Sequence, residues 1–218
     1  MKKIIMALSG GLDSSTLLAF LLSGGYEVEC VFFTYGSKHN QYEKIASRNI
    51  ADFYDVPLYS LNLENISEFL KSDLLKSGGA IPEGHYEAPN MSATVVPGRN
   101  IIFLSIMAGI AWSKNAQYVA AGIHAGDHAI YPDCRPDFFK AMDLALYLGT
   151  DKKIEMIAPF VEWNKIDIAK WGIQNGVPYH LTRTCYKDQE FACGKCGACT
   201  ERLEAFALNN SADLAQYE

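Results

Sequence analysis

Short apolar runs alternate along the chain with longer stretches in which apolar residues recur at helical spacing. The runs predict buried strands, and the periodic stretches predict helices. The predicted strands lie at 4–8, 26–34, 58–61, 118–122 and 154–158. The predicted helices lie at 16–22, 41–54, 64–76, 101–112, 138–148, 164–174 and 200–208. Strands that alternate with helices indicate an α/β fold with a parallel sheet, flanking helices and right-handed crossovers.

Two segments suggest contacts beyond a single core. The predicted helix 101–112 is apolar on nearly every side, so we expect it to lie in the core or in a subunit interface. The segment 80–90 is long and irregular, and such loops in compact domains are usually functional or mobile. We expect this loop to become ordered on substrate binding or against a second subunit. Together the two segments favour a homodimer.

A glycine- and serine-rich loop, LSGGLDSST at 8–16, connects the first predicted strand to the first predicted helix. Glycines let the backbone approach a ligand, and the free N–H groups at a helix N-terminus favour negative charge. The loop lacks the lysine of a Walker-type phosphate loop, whereas a carboxylate at Asp13 suits a Mg²⁺ ion that accompanies phosphates. The simpler alternative is a turn in which Asp13 caps the helix. The predicted nucleotide-binding residues are Leu8, Ser9, Gly10, Gly11, Leu12, Asp13, Ser14, Ser15, Thr16 and Arg99.

Three basic residues lie after a predicted strand or just before a predicted helix. Ligands bind at such positions in a parallel α/β sheet. Arg99 comes just before the predicted helix 101–112, which would place its guanidinium near the first loop. Its planar fork of donors suits phosphate or carboxylate, and the alternative is a surface arginine beside a turn. Lys38 and His39 follow the second predicted strand, and each could face the nucleotide or solvent.

Four of the six cysteines are clustered with the spacing C-x7-C-x2-C-x2-C. They are Cys185, Cys193, Cys196 and Cys199. Four thiolates at this spacing suit a tetrahedral structural Zn²⁺ site. The alternatives are an iron–sulfur cluster, whose usual trailing cysteine motif is absent here, or no metal. We therefore predict an α/β domain at 1–180 and a zinc-binding segment with a C-terminal helix, packed on that domain, at 181–218.

Composition and charge limit the kinds of molecule that we expect the chain to bind. The chain is 49% hydrophobic and 20% charged, with a net charge of −6 and no basic block. Nucleic-acid-binding proteins usually carry a basic face, so this balance favours small-molecule substrates over a stable nucleic-acid partner. No apolar run reaches the roughly 18 residues of a membrane span, and the first predicted strand begins without a signal peptide before it. We expect a cytoplasmic protein with no membrane partner.

Four separated blocks of the sequence resemble one family, the 7-cyano-7-deazaguanine synthases of the N-type ATP pyrophosphatase superfamily. The blocks are SGGLDS at 9–14, VPGRN at 96–100, YPDCRP at 131–136 and the cysteine pattern at 185–199. The resemblance implies an adenine nucleotide alpha hydrolase-like (Rossmann-like) fold. It also implies a ligase of queuosine biosynthesis that uses Mg²⁺ and ATP. Such an enzyme converts 7-carboxy-7-deazaguanine and ammonia to the 7-cyano product through adenylated acid and amide intermediates.

The resemblance also implies roles for individual residues. The catalytic residues would be Ser9, Asp13, Ser14 and Lys165. Lys165 would neutralise the leaving pyrophosphate, and the alternative is a solvated residue of the predicted helix 164–174. The substrate ring presents N–H donors, so its pocket needs an acceptor such as a carboxylate. The predicted substrate residues are Asp133, the preferred acceptor, Asp127 and Arg135, which would meet the substrate carboxylate or a phosphate. We interpret Cys134 as a small buried thiol rather than a thioester nucleophile.

Other functions stay open at the level of sequence. The stretch GDHAI at 126–130 departs from an acidic-aromatic-Ser-Gly run found in some relatives. An enzyme that stops at the amide is therefore an alternative. A tRNA-modifying enzyme of the same superfamily would predict a basic face, which the acidic composition disfavours. A zinc-ribbon binding module with a degenerate nucleotide site is disfavoured because the loop at 9–15 is intact.

Overall fold

The computed structural model describes residues 2–218 and contains one parallel sheet in that range. The strands are β1 (Lys3–Ala7), β2 (Glu27–Thr34), β3 (Leu58–Asn62), β4 (Tyr118–Ala120) and β5 (Glu155–Ile157). Their order across the sheet is β3-β2-β1-β4-β5, and every neighbouring pair is parallel. The prediction of a parallel α/β sheet is confirmed.

Six α-helices connect or follow the strands within the described residues. They are α1 (Leu12–Ser23), α2 (Asn40–Phe53), α3 (Arg99–Ser113), α4 (Pro136–Gly149), α5 (Lys165–Gln174) and α6 (Gly197–Leu208). Short 3-10 turns add Glu64–Phe69, Pro89–Thr94, Ala125–Asp127, Pro132–Cys134 and Tyr179–Leu181. The two faces of the sheet bury separate apolar clusters, as the alternation of a strand requires. On β1, Ile4 and Met6 belong to one cluster and Ile5 to the other.

The predicted helix at 64–76 is wrong. Only a 3-10 turn forms there, at Glu64–Phe69, and Leu70 is already extended. The backbone beyond it bonds to distant segments: Lys38 N–H donates to Leu74 O at 2.8 Å, and Asp73 N–H donates to Ala93 O at 2.8 Å. Tertiary hydrogen bonds and burial of Leu74 and Leu75 therefore replace the helical bonds that the spacing predicted.

The segment 181–218 packs closely on the rest of the chain. Ala205 and Phe206 of α6 lie in the same apolar cluster as Ile4 and Met6. The guanidinium of Arg202 bonds both carboxylate oxygens of Asp213, at 2.7 and 2.8 Å, and is only 2% exposed. This buried pair holds the last residues against α6. The division of the chain at residue 180 stays a prediction.

One stretch of the described residues, Pro89–Ser113, is long and apolar enough to cross a membrane by length and composition alone. It is not one continuous α-helix, because Val95 is extended and Gly98 has a left-handed φ of 65°. The helix α3 has 15 residues, about 22 Å, whereas a span needs roughly 20 residues. Its face of Leu104, Met107, Ala108 and Ala111 packs in the core. We interpret α3 as a helix of the folded domain that packs this one face on the core.

Candidate active site

A large cavity lies at the carboxyl ends of β1, β2 and β4. The sheet order places β1 between β2 and β4, so the crossovers on either side of β1 run in opposite directions and leave a crevice there. The cavity opens to solvent, and the space within it, open solvent included, is about 1170 Å³. Crevices at this position hold nucleotides and small metabolites in α/β folds.

The glycine-rich loop forms one wall of this cavity. Ser9 Oγ lies 3.0 Å from Ser14 Oγ, and Ser14 Oγ accepts the N–H of Ser9 at 3.2 Å, so the two hydroxyls face each other across the loop. Gly10 adopts a φ of +79°, and a Cβ there would lie 2.4 Å from Ser47 N of α2. Only glycine allows this approach. Loop residues that line the cavity are Leu8, Ser9, Gly11, Leu12, Asp13 and Ser14.

Three of the predicted nucleotide residues lie behind the cavity wall. Gly10 packs on α2, and Ser15 is fully buried. The Thr16 hydroxyl bonds to Leu12 O at 2.8 Å and lies 2.7 Å from the Tyr179 hydroxyl. These residues shape the loop from inside the core. Their predicted contact with a nucleotide stays a prediction.

A charged cluster surrounds Lys165 at the floor of the cavity. Lys165 Nζ lies 2.6 Å from Asp13 Oδ2 and 3.3 Å from Glu201 Oε2. Asn164 precedes α5 and accepts the N–H of Asp167 at 2.9 Å, while Asp167 accepts the N–H of Asn164 at 3.2 Å. This reciprocal capping box fixes the first turn of α5. Lys165, the first residue of that helix, is thereby directed at the loop.

The cluster shifts the protonation of its members. Burial disfavours the charged ammonium, but the carboxylates of Asp13 and Glu201 outweigh it and hold the pKa of Lys165 above its usual value. Burial raises the pKa of Glu201, and the charge of Lys165 only partly offsets this. Lys165 is therefore a fixed positive charge beside the loop at neutral pH.

Asp127 joins this cluster from the loop that follows β4. Its Oδ1 accepts the hydroxyl of Tyr86 at 2.5 Å, and its Oδ2 lies 3.3 Å from His124 Nε2. Burial raises the pKa of Asp127, but His124, Lys165 and the Tyr86 hydrogen bond together hold it below its usual value. His124 is 1% exposed and its Nε2 also lies 3.8 Å from Asp13 Oδ2. The long irregular segment that we expected to be functional places Tyr86 in this wall.

Asp133 and Arg135 lie outside the cavity lining to which Asp127 belongs. Asp133 Oδ2 accepts the N–H of Asn100 at 2.9 Å, and the Asn100 side chain donates to Asp133 O at 2.9 Å. Asp133 thus satisfies a free backbone donor in the first turn of α3. Arg135 is exposed, and its Nε donates to His128 O at 2.9 Å. Neither residue lines the cavity, whereas Cys134 between them does. Burial raises the pKa of the Cys134 thiol, so it is neutral.

Arg99 lies in the cavity wall, as its position in the sequence suggested. Its Nη1 donates to the Tyr35 hydroxyl at 3.4 Å. Lys38 lies elsewhere and donates to the backbone carbonyls of Asp73, Gly78 and Gly79. His39 does line the cavity and is 2% exposed. Burial, and the nearby charge of Arg99, lower the pKa of His39 to about 3, so the ring is neutral.

Several residues of the cavity wall were not singled out individually in the sequence, although Tyr86 lies in the long segment 80–90 and Tyr131 begins the YPDCRP block. They are Tyr35, Glu43, Tyr86, His124, Tyr131, Arg183, Tyr186 and Glu201. Positions after parallel strands are a general clue to ligand contacts, and this clue applies to Tyr35 and His124. Glu201 lies two residues after Cys199, and no spacing connects it with Lys165. Only the packing of α6 on α5 brings them together.

The cysteine cluster adjoins the cavity. The sulfur atoms of Cys185, Cys193, Cys196 and Cys199 lie within 4.8 Å of one another, and all four residues are buried. Backbone N–H groups donate to two of these sulfurs, including Cys196 N–H to Cys193 Sγ at 3.3 Å. Without a metal ion the thiols bond one another: hydrogen bonds from Cys196 and Cys199 lower the pKa of Cys185, and the bond with Cys185 raises the pKa of Cys196. The four cysteines could together bind one metal ion.

Comparisons with known proteins find one matching family model and relatives that span the whole chain. The family model described as "Queuosine biosynthesis protein QueC" matches residues 3–210. The protein named 7-cyano-7-deazaguanine synthase 2 of Colwellia psychrerythraea (strain 34H / ATCC BAA-681) is 45% identical over 218 residues, which are 100% of this chain and 99% of that protein. The 7-cyano-7-deazaguanine synthase of Methanoregula boonei (strain DSM 21154 / JCM 14090 / 6A8) is 44% identical over 216 residues, 99% of each chain.

A solved structure supports the fold. A 4-thiouridine synthetase, in complex with RNA and bound ATP, superposes with a TM-score of 0.50 at 16% identity, over 93% of this chain and 50% of that one. At this identity the likeness shows the fold alone, and the predicted adenine nucleotide alpha hydrolase-like fold is confirmed. Because the family model spans nearly the whole chain and full-length relatives share 44–45% of its residues, the chain belongs to the queuosine biosynthesis protein QueC family.

Proposed function

We propose that this chain is a 7-cyano-7-deazaguanine synthase, an ATP-dependent ligase of queuosine biosynthesis. It converts 7-carboxy-7-deazaguanine and ammonia to the 7-cyano product. The observation that carries this proposal is the agreement between full-length relatives of that name and a cavity that combines an anion-binding loop with a buried lysine. An anion-binding loop suits pyrophosphate, and a fixed ammonium suits the charge that develops when pyrophosphate leaves.

The loop residues Ser9 to Ser14 would hold the phosphates of ATP, with Lys165 beside them. Asp13 fits a role toward Mg²⁺, because its buried Oδ1 accepts no hydrogen bond within residues 2–218. Mg²⁺ would neutralise phosphate charge when it is bound with ATP. Arg99 supplies donors that meet the substrate carboxylate or the α-phosphate.

The reaction follows two rounds of the same chemistry. In the first round, a carboxylate oxygen of the substrate attacks the α-phosphorus of ATP, and pyrophosphate leaves. Ammonia then attacks the acyl carbon of the adenylate, loses a proton and displaces AMP to give the amide. In the second, the amide oxygen attacks the α-phosphorus of a second ATP and pyrophosphate leaves. Loss of both N–H protons together with AMP then gives the nitrile. Lys165 stabilises the leaving pyrophosphate in both rounds. Positioning and charge neutralisation supply most of the catalysis.

We retain Asp127 as a substrate contact because it lines the cavity near Lys165. Asp133 and Arg135 have a less direct role in this proposal. The Asp133 bond to the first turn of α3 supports the helix that carries Arg99. Ser9 and Ser14 orient the loop through their mutual hydroxyl contact.

Zn²⁺ is the ion that we propose for the cysteine cluster, one per chain. Four thiol donors within 4.8 Å of one another fit a closed tetrahedral site, whose Zn–S distances are about 2.3 Å. Its role is structural, because all four ligands are protein sulfurs and none lines the cavity. Unpaired thiols that bind metal persist in reducing compartments, which supports action in the cytoplasm.

Product analysis tests the proposed function. Purified protein with 7-carboxy-7-deazaguanine, ammonium and Mg-ATP is expected to give the 7-cyano product, with two AMP per nitrile, by mass spectrometry. Accumulation of the amide alone would favour an amide-forming ligase and would point to the altered stretch 126–130. A folded, metal-loaded protein that gives no deazapurine product would contradict the proposal and favour a tRNA-modifying enzyme.

We also propose that the protein is a homodimer that pairs through α3 and α4. These neighbouring helices carry large exposed apolar residues: Ile101 (48% exposed), Trp112 (45%), Leu144 (56%) and Leu148 (59%). Exposed apolar patches of this kind mark protein interfaces. The sequence expectation of an interface on the helix at 101–112 agrees with this placement.

The combined substitution Leu144→Asp and Leu148→Asp is expected to convert the dimer to a monomer, because it buries two charges in the proposed interface. Sedimentation velocity measures the result as a fall from twice 24.1 kDa to 24.1 kDa. Leu208→Asp is the control, since Leu208 is 64% exposed on α6 and should leave the dimer intact. A wild-type protein that sediments as a monomer would contradict the proposal.

A further inference from the structure

We propose that Glu43, in the first turn of α2, accepts the ring N–H and the exocyclic amine of the deazaguanine substrate and so selects for a 2-amino-6-oxo ring. This inference rests on the proposed function and specifies how the site recognises its substrate. No spacing or motif in the sequence pointed to Glu43.

Glu43 is held at the cavity by the packing of α2. The helix lies against the glycine-rich loop, where the backbone at Ala46 and Ser47 occupies the space that a Cβ at Gly10 would need. Glu43 is one turn closer to the helix N-terminus and lines the cavity, with its side chain 16% exposed. Its backbone is therefore rigid while its carboxylate faces the ligand space.

Four carboxylates line the cavity, and three of them already have strong donors. Asp13 lies 2.6 Å from Lys165 Nζ, Glu201 lies 3.3 Å from the same atom, and Asp127 accepts the Tyr86 hydroxyl at 2.5 Å. Glu43 differs from all three. Among residues 2–218 no hydrogen bond contributes to the state of its carboxyl group, and the nearby His39 Nε2 stands 3.4 Å from Oε2.

Among the described residues, no charged group near Glu43 fully replaces the missing hydrogen-bond donors. Burial raises the pKa of Glu43 to about 8, and the charges of Arg99 and Arg183 offset burial only in part. The neighbouring His39 ring is neutral. Burial therefore keeps this carboxyl mainly protonated at neutral pH before a ligand binds, and no donor of residues 2–218 lies closer than 3.4 Å to stabilise its ionised form. A ligand that brings two N–H groups supplies those donors and favours the carboxylate, so that the proton leaves on binding.

The substrate carries such a pair of donors. The N1–H and 2-amino N–H of a guanine-like ring point in one direction at a spacing that a carboxylate can accept with both oxygens, as in other bidentate pairs. Aromatic side chains of the same cavity supply apolar surface for a flat ring. Phe33 and Phe103 stack with centroids 4.1 Å apart, and Tyr35 meets Phe103 at 5.4 Å. Glu43 and these rings together form a site for a planar base with a donor edge.

The test compares 7-carboxy-7-deazaguanine with its analogue that lacks the 2-amino group. Wild-type protein is expected to prefer the amino substrate in kcat/KM. Glu43→Gln is expected to lower kcat/KM for that substrate about 100-fold, mainly through KM, because an amide replaces one acceptor by a donor that opposes the ring N–H. Turnover of the analogue should change less than about threefold, so the preference collapses. The Kd for ATP should stay the same.

Three further variants make the result specific. Asp52→Asn makes the same change of charge on an exposed position of α2 and should keep the preference. Glu43→Asp keeps the carboxylate and should keep part of it. Asp127→Asn tests the competing acceptor. Circular dichroism and ATP binding report whether each variant is folded.

The outcomes separate this inference from the proposed function. If wild-type protein makes the nitrile and Glu43→Gln keeps the preference, or if Asp127→Asn alone abolishes it, the inference is overturned and the function stands. If wild-type protein makes no nitrile, calorimetric binding of the two compounds decides. Loss of 2-amino discrimination in Glu43→Gln would still support Glu43 as the acceptor, and absence of binding to wild-type protein would overturn both.

Discussion

Lys165→Met is expected to slow the formation of pyrophosphate from ATP about 1000-fold in a single turnover. Among residues 2–218, Lys165 has the only ammonium or guanidinium group within 4 Å of the Asp13 carboxylate, and it lines the cavity beside the loop. A preorganised donor at the position where charge develops contributes about 10²–10³ in rate. Methionine keeps the length and apolar stem of lysine and removes the charge. ATP binding should weaken much less than the rate falls, because the largest charge develops in the transition state.

Rapid-quench measurement of pyrophosphate, with ATP affinity measured separately, checks this prediction. Lys170→Met is the matched control, since Lys170 is an exposed residue of the same helix. Removal of Lys165 also leaves the carboxylates of Asp13 and Glu201 without their shared partner, which should lower the thermal stability. Assays are therefore made well below the midpoint of unfolding. A loss smaller than tenfold would show that Lys165 has only a structural role.

Cys196→Ser is expected to abolish metal binding and activity together. Cys196 is fully buried, and a serine hydroxyl is a poor replacement for a thiolate ligand. Because the free energy of metal binding is also folding free energy, the segment around the cluster should lose its order. That segment carries Arg183 and Tyr186 into the cavity wall, and α6 carries Glu201. We expect a fall in the midpoint of unfolding of about 10 °C or more, together with loss of nitrile formation.

Metal content by atomic emission, unfolding by calorimetry and turnover test this prediction on one preparation. Cys30→Ala is the control, because Cys30 is a buried cysteine of β2 outside the cluster and its replacement should keep the metal. Far-UV circular dichroism should show that the sheet persists in Cys196→Ser. A metal-free Cys196→Ser variant with wild-type turnover would refute the coupling of the cluster to the cavity.

Those parts of the fold that depend on local pattern could be predicted from the sequence. The apolar runs identified the strands, and the glycines and serines at 9–15 identified the loop. Both patterns involve only residues that are close together in the sequence. The predicted helix at 64–76 failed because hydrogen bonds from Lys38 and to Ala93 decide the backbone there. No local pattern contains those partners.

The candidate site was predictable only in part for the same reason. Asp13, Arg99, Asp127 and Lys165 lie at the ends of strands or helices, where the topology directs side chains to one edge of the sheet. Asp133 has an acidic group in a family motif, yet its carboxylate bonds the first turn of α3, a use that the motif does not reveal. Glu43 and Glu201 reach the cavity through helix packing.

The dependence of the cavity on α6 has a consequence for protein synthesis. All five strands precede the cysteine cluster in the chain, so the sheet can begin to form before the whole cluster has emerged from the ribosome. Arg183, Tyr186 and Glu201 reach the cavity wall only after the later segment folds around its metal. If the cluster binds zinc as proposed, newly made molecules in a cell starved of zinc would therefore accumulate with an ordered sheet and an unfinished pocket, and zinc supply would set the fraction of enzyme that becomes competent.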